Sequence, residues 1–387
     1  MNRNKKPGPT SKPKARKPDP KAAPKKPAPK KAAPAKPPRP APPVQDPPAG
    51  DEAEDVTIPL PERSWRETLN LEGEFRAGFA ALVGRPNVGK STLLNSLLGH
   101  KLVATTPRPQ TTRRRFRGIL GFPGAQVILV DTPGLFEGAL LPDKGKGGYG
   151  ELGNFMTHET RSALNDVDVA VLVEEAAALP DIGPTPVQQA LLTLLKDARK
   201  PTVLALNKID RIPKAALLPI LTRWNALFDF KAIIPVSATH QDGLDRLALA
   251  MAQLMPPSPP LFPEGELSDA SERAICEELI REKVMMRTGE EIPYAAAVEI
   301  VQFDESRREP TGKKPGIVDL EATIHVERDG QKAIVVGAGG KKIKEIGILA
   351  REELERFLGC KVMLRLFVKV SDHWSRNKNG LRSMGYH

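Results

Sequence analysis

Short apolar runs ending in polar or glycine residues recur from Phe75 to about Met255. AGFAALVG (77–84), AQVILVDTPG (125–134), VDVAVLVEEA (167–176), PTVLALNKID (201–210) and KAIIPVSAT (231–239) each predict a buried strand. Between them, KSTLLNSLLG (90–99) and TPVQQALLTLLKDAR (185–199) carry helical periodicity. Strands alternating with helices predict an α/β fold, a mostly parallel sheet with helices on both faces. Ligands of such sheets sit at the carboxyl ends of the strands. The polar, motif-like residues of this chain fall at those ends.

The pattern changes after Met255. PPSPPLFPEGE (256–266) cannot continue a helix and reads as a proline-rich connector, with the linker proper at 257–265. A smaller α+β unit is expected over 266–387. SDASERAICEELIREKVMMRTG reads as a capped amphipathic helix, with Met285 and Met286 as core residues. Two strands follow, then helix, glycine turn, helix and the closing strand CKVMLRLFVKV.

Composition adds an N-terminal tail. The 387 residues carry a net charge of +11, yet residues 1–50 alone hold 14 Lys plus Arg against two Asp. The remainder is therefore close to neutral. Residues 1–50 also hold 16 of the 39 prolines, a composition that cannot build a core. Residues 1–70 are expected to be a disordered basic tail. It could be a solubilising segment, or an electrostatic arm for RNA or an anionic membrane surface. No apolar run approaches the roughly 18 residues of a membrane span, and the basic start has no apolar region behind it as a secretory signal would. Two cysteines, Cys276 and Cys360, give no disulfide framework. The six histidines show no metal-ligand spacing.

GRPNVGKS (84–91) fits the phosphate-loop pattern, with Gly84, Gly89, Lys90 and Ser91 at its defining positions. Its glycines let backbone N–H groups wrap phosphates, Lys90 reaches the β- and γ-phosphates, and Ser91 offers a hydroxyl to Mg²⁺. A helix N-terminus behind the loop favours anions. Nucleotide contacts are expected from Arg85, Pro86, Asn87, Val88 and Thr92 as well. DTPG (131–134) is a good turn sequence on its own. Its place after an apolar strand, about 40 residues beyond Lys90, makes Asp131 a Mg²⁺-holding carboxylate and Gly134 a donor to the γ-phosphate, with Thr132 and Pro133 between them.

NKID (207–210) selects the base. A carboxylate at Asp210 accepts from guanine N1–H and the 2-amino group, and adenine offers neither donor there. A site built for those bonds rejects the wrong base by roughly 10³ or more. Asn207 supports the base and its loop, Lys208 covers the purine face, and Ser237 and Ala238 follow the next strand, where the Ala238 N–H can face guanine O6. GTP and GDP, with Mg²⁺, are the expected ligands.

With these motifs the chain resembles the translation-factor-like class of P-loop GTPases over 75–256, a Ras-like fold, and TTPRPQTTRRRFRGI (105–119) resembles switch I of the Era family. That resemblance implies that Thr112, beside Thr111, closes over Mg²⁺ and the γ-phosphate. Leu135 stands where many GTPases place a water-orienting glutamine. Era-like GTPases similarly lack it, and by resemblance Asn87 binds K⁺, which supplies charge for slow, K⁺-stimulated hydrolysis. FEGALLPDKGKGGYGELGN (136–154) is longer and richer in glycine than the family pattern, and Glu174 and Glu175 depart from its usual strand ending.

VVGAGGKKIKEIG (335–347) holds Gly337-Ala338-Gly339-Gly340 between two helices, a G-x-x-G that lets a backbone pass close to nucleotides, with Lys341, Lys342 and Lys344 for phosphates. In its element order it looks like a type II KH domain, and SDHWSRNKNGLRSMGYH resembles the Era C-terminus. The resemblance implies a monomeric, cytoplasmic GTPase that binds the 3′ end of 16S-type ribosomal RNA in 30S subunit maturation, with peripheral contact at the inner membrane. Another RNA-directed GTPase of the class, or an RNA-binding protein using GTP as a structural ligand, remains open on the residues alone.

Overall fold

The computed structural model describes residues 65, 69–106, 116–135, 150–178, 183–289, 292–310, 315–372 and 374. Residues 1–64, Thr111 and Thr112 lie outside them, as do 136–149 and nearly all of the segment after Ser371. The tail up to residue 64, the switch I threonines and most of the glycine-rich insertion are therefore expectations that lie outside the described residues, whereas Trp65 and Leu69, inside the expected 1–70 tail, pack against the core.

The first sheet has six strands: β1 (Arg76–Val83), β2 (Phe116–Phe122), β3 (Ala125–Asp131), β4 (Val169–Glu175), β5 (Thr202–Asn207) and β6 (Ala232–Pro235). Their spatial order is β2-β3-β1-β4-β5-β6. Five run parallel, and β2 pairs antiparallel with β3 at the edge. Phe116–Ile119, read from sequence as the end of switch I, thus begin a strand. The alternation of β1 explains the helices on both faces. Ala80 and Leu82 enter one core, and Ala81 and Val83 enter the other. The helices are α1 (Lys90–Leu98), α2 (Gly150–Asp166), α3 (Pro186–Ala198), α4 (Lys214–Leu227) and α5 (Leu244–Leu254).

Local chemistry sets several of these boundaries. Thr185 and Gln188 form a reciprocal capping box at the start of α3, with Pro186 in its first turn. Helix α4 contains Pro219, which masks its helical pattern in the sequence, but Ile220 and Trp224 still bury against the sheet.

The connector after α5 is bonded along the sheet. Gln126 on β3 accepts from Leu261 N and Phe262 N at 2.8 and 3.0 Å and donates to Phe262 O at 2.9 Å. Ile119 N donates to Leu267 O at 2.8 Å. The second sheet follows in the order β7-β8-β9, formed by β7 (Ala297–Asp304), β8 (Ile317–Val326) and β9 (Lys361–Val370). Helices α6 (Glu272–Arg287), the single turn α7 (Ile292–Ala295), α8 (Asp329–Val336) and α9 (Lys341–Leu358) complete it. Ser271 caps α6 by accepting from Ala274 N. Met285 is buried as expected, but Met286 is only half-buried, and Cys276 and Cys360 are both free thiols. Burial pushes the Cys276 thiol up to about 12, so it behaves as an apolar core residue. Among the described residues no helix is long and apolar enough to cross a membrane.

Candidate guanine-nucleotide site and nucleic-acid interface

The loop between β1 and α1 lies at the carboxyl ends of β1, β3, β4 and β5. Close packing explains its glycines. A Cβ on Gly84 would stand 2.3 Å from Val173 O, and one on Gly89 would stand 2.4 Å from Asn207 Nδ2. Gly89 also takes φ 98°, which glycine adopts without strain. It brings no side chain to the first N–H groups of α1, whose positive helix end thus faces the loop. Asn87 adopts the left-handed region at φ 62°.

Lys90 is almost fully buried and donates from Nζ to Gly84 O at 3.2 Å and Arg85 O at 3.0 Å. Burial pulls its pKa down, against the opposing fields of Asp131 and Glu174. Ser91 Oγ donates to Asp131 Oδ2 at 2.9 Å. A hydroxyl and a carboxylate converging beneath a phosphate cradle form an oxygen donor set that suits Mg²⁺. Thr92 continues the first turn of α1. Gly134 closes the site, because a Cβ there would lie 3.0 Å from the Pro86 backbone and 3.1 Å from Lys90 Nζ.

Some expected contacts are used internally. Thr132 Oγ1 donates to Leu82 O at 2.8 Å, so its side chain secures β1 to the DTPG turn. Pro133 O accepts from Thr160 Oγ1 of α2 at 3.2 Å. The Arg85 guanidinium is turned to Glu174, with Nη2 to Oε2 at 2.7 Å. Neither glutamate at the end of β4 has a site role in the sequence reading, and no local motif signals one.

The NKID and SAT segments, expected at the base, interlock with the phosphate loop. Asn207 Nδ2 donates to Val88 O at 2.9 Å, and its Oδ1 accepts from Ala238 N at 3.1 Å. The Ala238 N–H expected at guanine O6 is thus engaged by Asn207 in this structure. Lys208 Nζ donates to Asn87 O at 2.7 Å. Asp210 Oδ1 accepts from Ser237 Oγ at 2.6 Å, which orients the carboxylate expected to read the base.

The glycine turn of the second unit is formed as expected. Gly337, Gly339 and Gly340 have φ of 71°, 59° and 75°. A Cβ on Gly337 would meet the Lys342 Cβ at 2.6 Å, whereas Gly339 and Gly340 have nothing within 4 Å. One glycine serves packing and two leave an open approach. Lys341 and Lys344 are exposed beside it, and Lys342 is half-buried.

Comparison with known proteins agrees with this geometry. The family described as 50S ribosome-binding GTPase matches residues 79–208, and the KH domain family matches 291–375. GTPase Era of Geotalea uraniireducens is 42% identical over 315 residues, covering 81% of this chain and 99% of that protein. GTPase Era of Xylella fastidiosa strain M12 is 43% identical over 313 residues, covering 81% and 98%. Among solved structures, a single-residue variant of Aquifex aeolicus Era bound to GDP·AlF4⁻ superposes with TM-score 0.72 at 36% identity, covering 81% of this chain and 99% of that one. An Era complex with MgGDPNP and nucleotides 1506–1542 of 16S ribosomal RNA matches with the same TM-score, identity and coverage. Identity of 42–43% along nearly the whole length of these relatives places the chain, with its phosphate loop, NKID segment and KH glycine turn, in the Era family of GTPases.

Proposed function

We propose that the protein hydrolyses GTP to GDP and phosphate and uses the nucleotide state to control binding to the 3′ end of small-subunit ribosomal RNA during 30S maturation. The observation that carries this reading is the pairing, in one chain, of the Lys90–Ser91–Asp131 cluster with an open Gly339–Gly340 turn. The family relative solved with MgGDPNP and a 16S rRNA segment supports it.

In this reading Lys90 exchanges its Gly84 and Arg85 carbonyls for phosphate oxygens, and Ser91 and Asp131 hold Mg²⁺. When bound, Mg²⁺ neutralises phosphate charge. Asp210, held by Ser237, accepts the guanine donors. Buried Leu135 cannot orient water, so we assign the missing charge to K⁺ bound with the help of Asn87. Thr112 is proposed to close over the γ-phosphate. The backbone at Gly339–Gly340 admits an RNA strand, and Lys341, Lys342 and Lys344 contact its phosphates. The protein acts as a cytoplasmic monomer. Contact with the membrane surface rests on the family resemblance and on the basic residues 1–50, and vesicle flotation tests it.

Crosslinking the full chain to cellular RNA and sequencing the joined nucleotides tests the partner. Reads concentrated at the small-subunit rRNA 3′ end are expected, and an even spread over unrelated RNA overturns the reading. Equal RNA affinity with GDP and with a non-hydrolysable GTP analogue would reject the switch and favour GTP as a structural ligand.

A further inference from the structure

The two glutamates that end β4 grip the phosphate loop from both sides. Glu174, with its side chain 1% exposed, accepts from Arg85 Nε at 3.2 and 3.1 Å and from Nη2 at 2.7 Å. Gln188 Nε2 of α3 donates to the same carboxylate at 3.3 Å. Glu175 accepts from Lys208 Nζ at 3.0 Å, and that ammonium also donates to Asn87 O at 2.7 Å. The pairing of β4 with β5 sets this up, because Glu175 stands opposite Asn207, one residue before Lys208. Consecutive strand residues point to opposite faces. Glu174 therefore fastens residue 85 and Glu175, through Lys208, fastens residue 87. Pro86 between them has a fixed φ.

We infer that Glu174 and Glu175 are positioning residues for the phosphate loop, holding Arg85 and Asn87 in the nucleotide-binding geometry before nucleotide arrives. The bidentate fork of Arg85 on Glu174 fixes direction as well as distance. It orients the backbone segment whose Gly84 and Arg85 carbonyls hold Lys90. The Glu175–Lys208 pair keeps Asn87 in its left-handed conformation. A loop ordered in advance loses less of its binding energy to ordering. The inference deepens the guanine-nucleotide reading and rests on it.

The test uses the full chain, a fluorescent GDP analogue and steady-state GTP hydrolysis. The test is read in NaCl, where no K⁺ is held beside Asn87 and the loop's contacts to the phosphates are shared by ground and transition states. Loosening the loop should there raise KM and the GDP dissociation rate, with kcat falling no more than about twofold. Glu175→Gln, in a partly exposed pair, is expected to raise both by about threefold. Glu174→Gln, in a buried pair, should raise them about tenfold. Adding Glu175→Gln to Lys208→Met should change nothing further, since the glutamate acts through that lysine. Wild-type KM and dissociation rate in Glu175→Gln, a fall in kcat at constant KM, or additive effects in the double variant would overturn the inference. If Glu174→Gln fails to fold, Glu175→Gln decides alone. A wild-type chain that binds no guanine nucleotide would instead reject the underlying reading.

Discussion

Lys101 Nζ, just beyond the phosphate-loop helix, stands 2.8 Å from Glu282 Oε1 in the first helix of the KH half. Glu353 of α9, the helix that starts at the glycine turn, lies 3.3 Å from the same ammonium. Lys283 closes the square, 3.1 Å from Glu282 and 3.0 Å from Glu353. Thr105 N donates to Glu282 Oε2 at 2.9 Å. Four charges, three of them buried, thus join the two halves.

Breaking this square from one side leaves buried charge uncompensated. Glu353→Ala should cost about 3–5 kcal/mol of stability. Urea denaturation checks it. Added salt should not reproduce the loss, because buried pairs are weakly screened. An unchanged midpoint would mean that the square contributes nothing net.

The same square sets a pH window. Burial pushes the Glu353 carboxyl up, but Lys101, Lys283 and Arg356 outweigh it and hold the group below the ordinary glutamate value. Burial pulls the Lys283 ammonium down, but Glu282 and Glu353 outweigh it and hold the group above the ordinary lysine value. A depressed carboxylate contributes stability that is present above its unfolded pKa of about 4.3 and lost as pH falls through the folded value. A raised lysine contributes stability that is present below its unfolded pKa of about 10.4 and lost as pH rises through the folded value. Thermal midpoints should form a plateau between those limits, and Glu353→Gln should flatten the acid limb. An acid limb identical to the wild type would show that other carboxylates set it.

Asp210→Asn replaces one of the two acceptors proposed to face guanine with a donor. GDP affinity should fall by roughly 10³. Xanthine nucleotides, which carry a carbonyl where guanine carries its 2-amino group, should gain. Competition binding with GDP and XDP measures both, and retained guanine preference would place base selection elsewhere.

The two kinds of glycine in the KH turn should separate. Gly337→Ala drives a Cβ into Lys342 and should lower stability. Gly339→Asp enters open space, where the left-handed φ costs about 1 kcal/mol. It should leave most of the fold intact while weakening RNA binding about tenfold or more, since a carboxylate would face phosphates. RNA affinity and melting midpoints, measured together, tell them apart.

Hydrolysis should be faster in KCl than in NaCl, and Asn87→Ala should abolish the difference. Equal rates in the two salts would remove K⁺ from the mechanism.

Legible in the residues alone were the five parallel strands, the phosphate loop, the NKID segment and the KH glycine turn. Each is a local signal, in which residue type and spacing within about ten positions dictate backbone shape and chemistry. The edge strand β2 and helix α4 were not legible, because an arginine-rich flank and Pro219 hide their periodicity and tertiary burial overrides local preference. Tertiary structure alone decided what long-range pairing controls. It turned Arg85 to Glu174, engaged the Ala238 N–H with Asn207, fastened Asn87 through Lys208 to Glu175, and set Lys101 against helices about 180 and 250 residues away in the chain. Charges so far apart in sequence meet only after the sheet and its helices have packed, and no local pattern announces the partner.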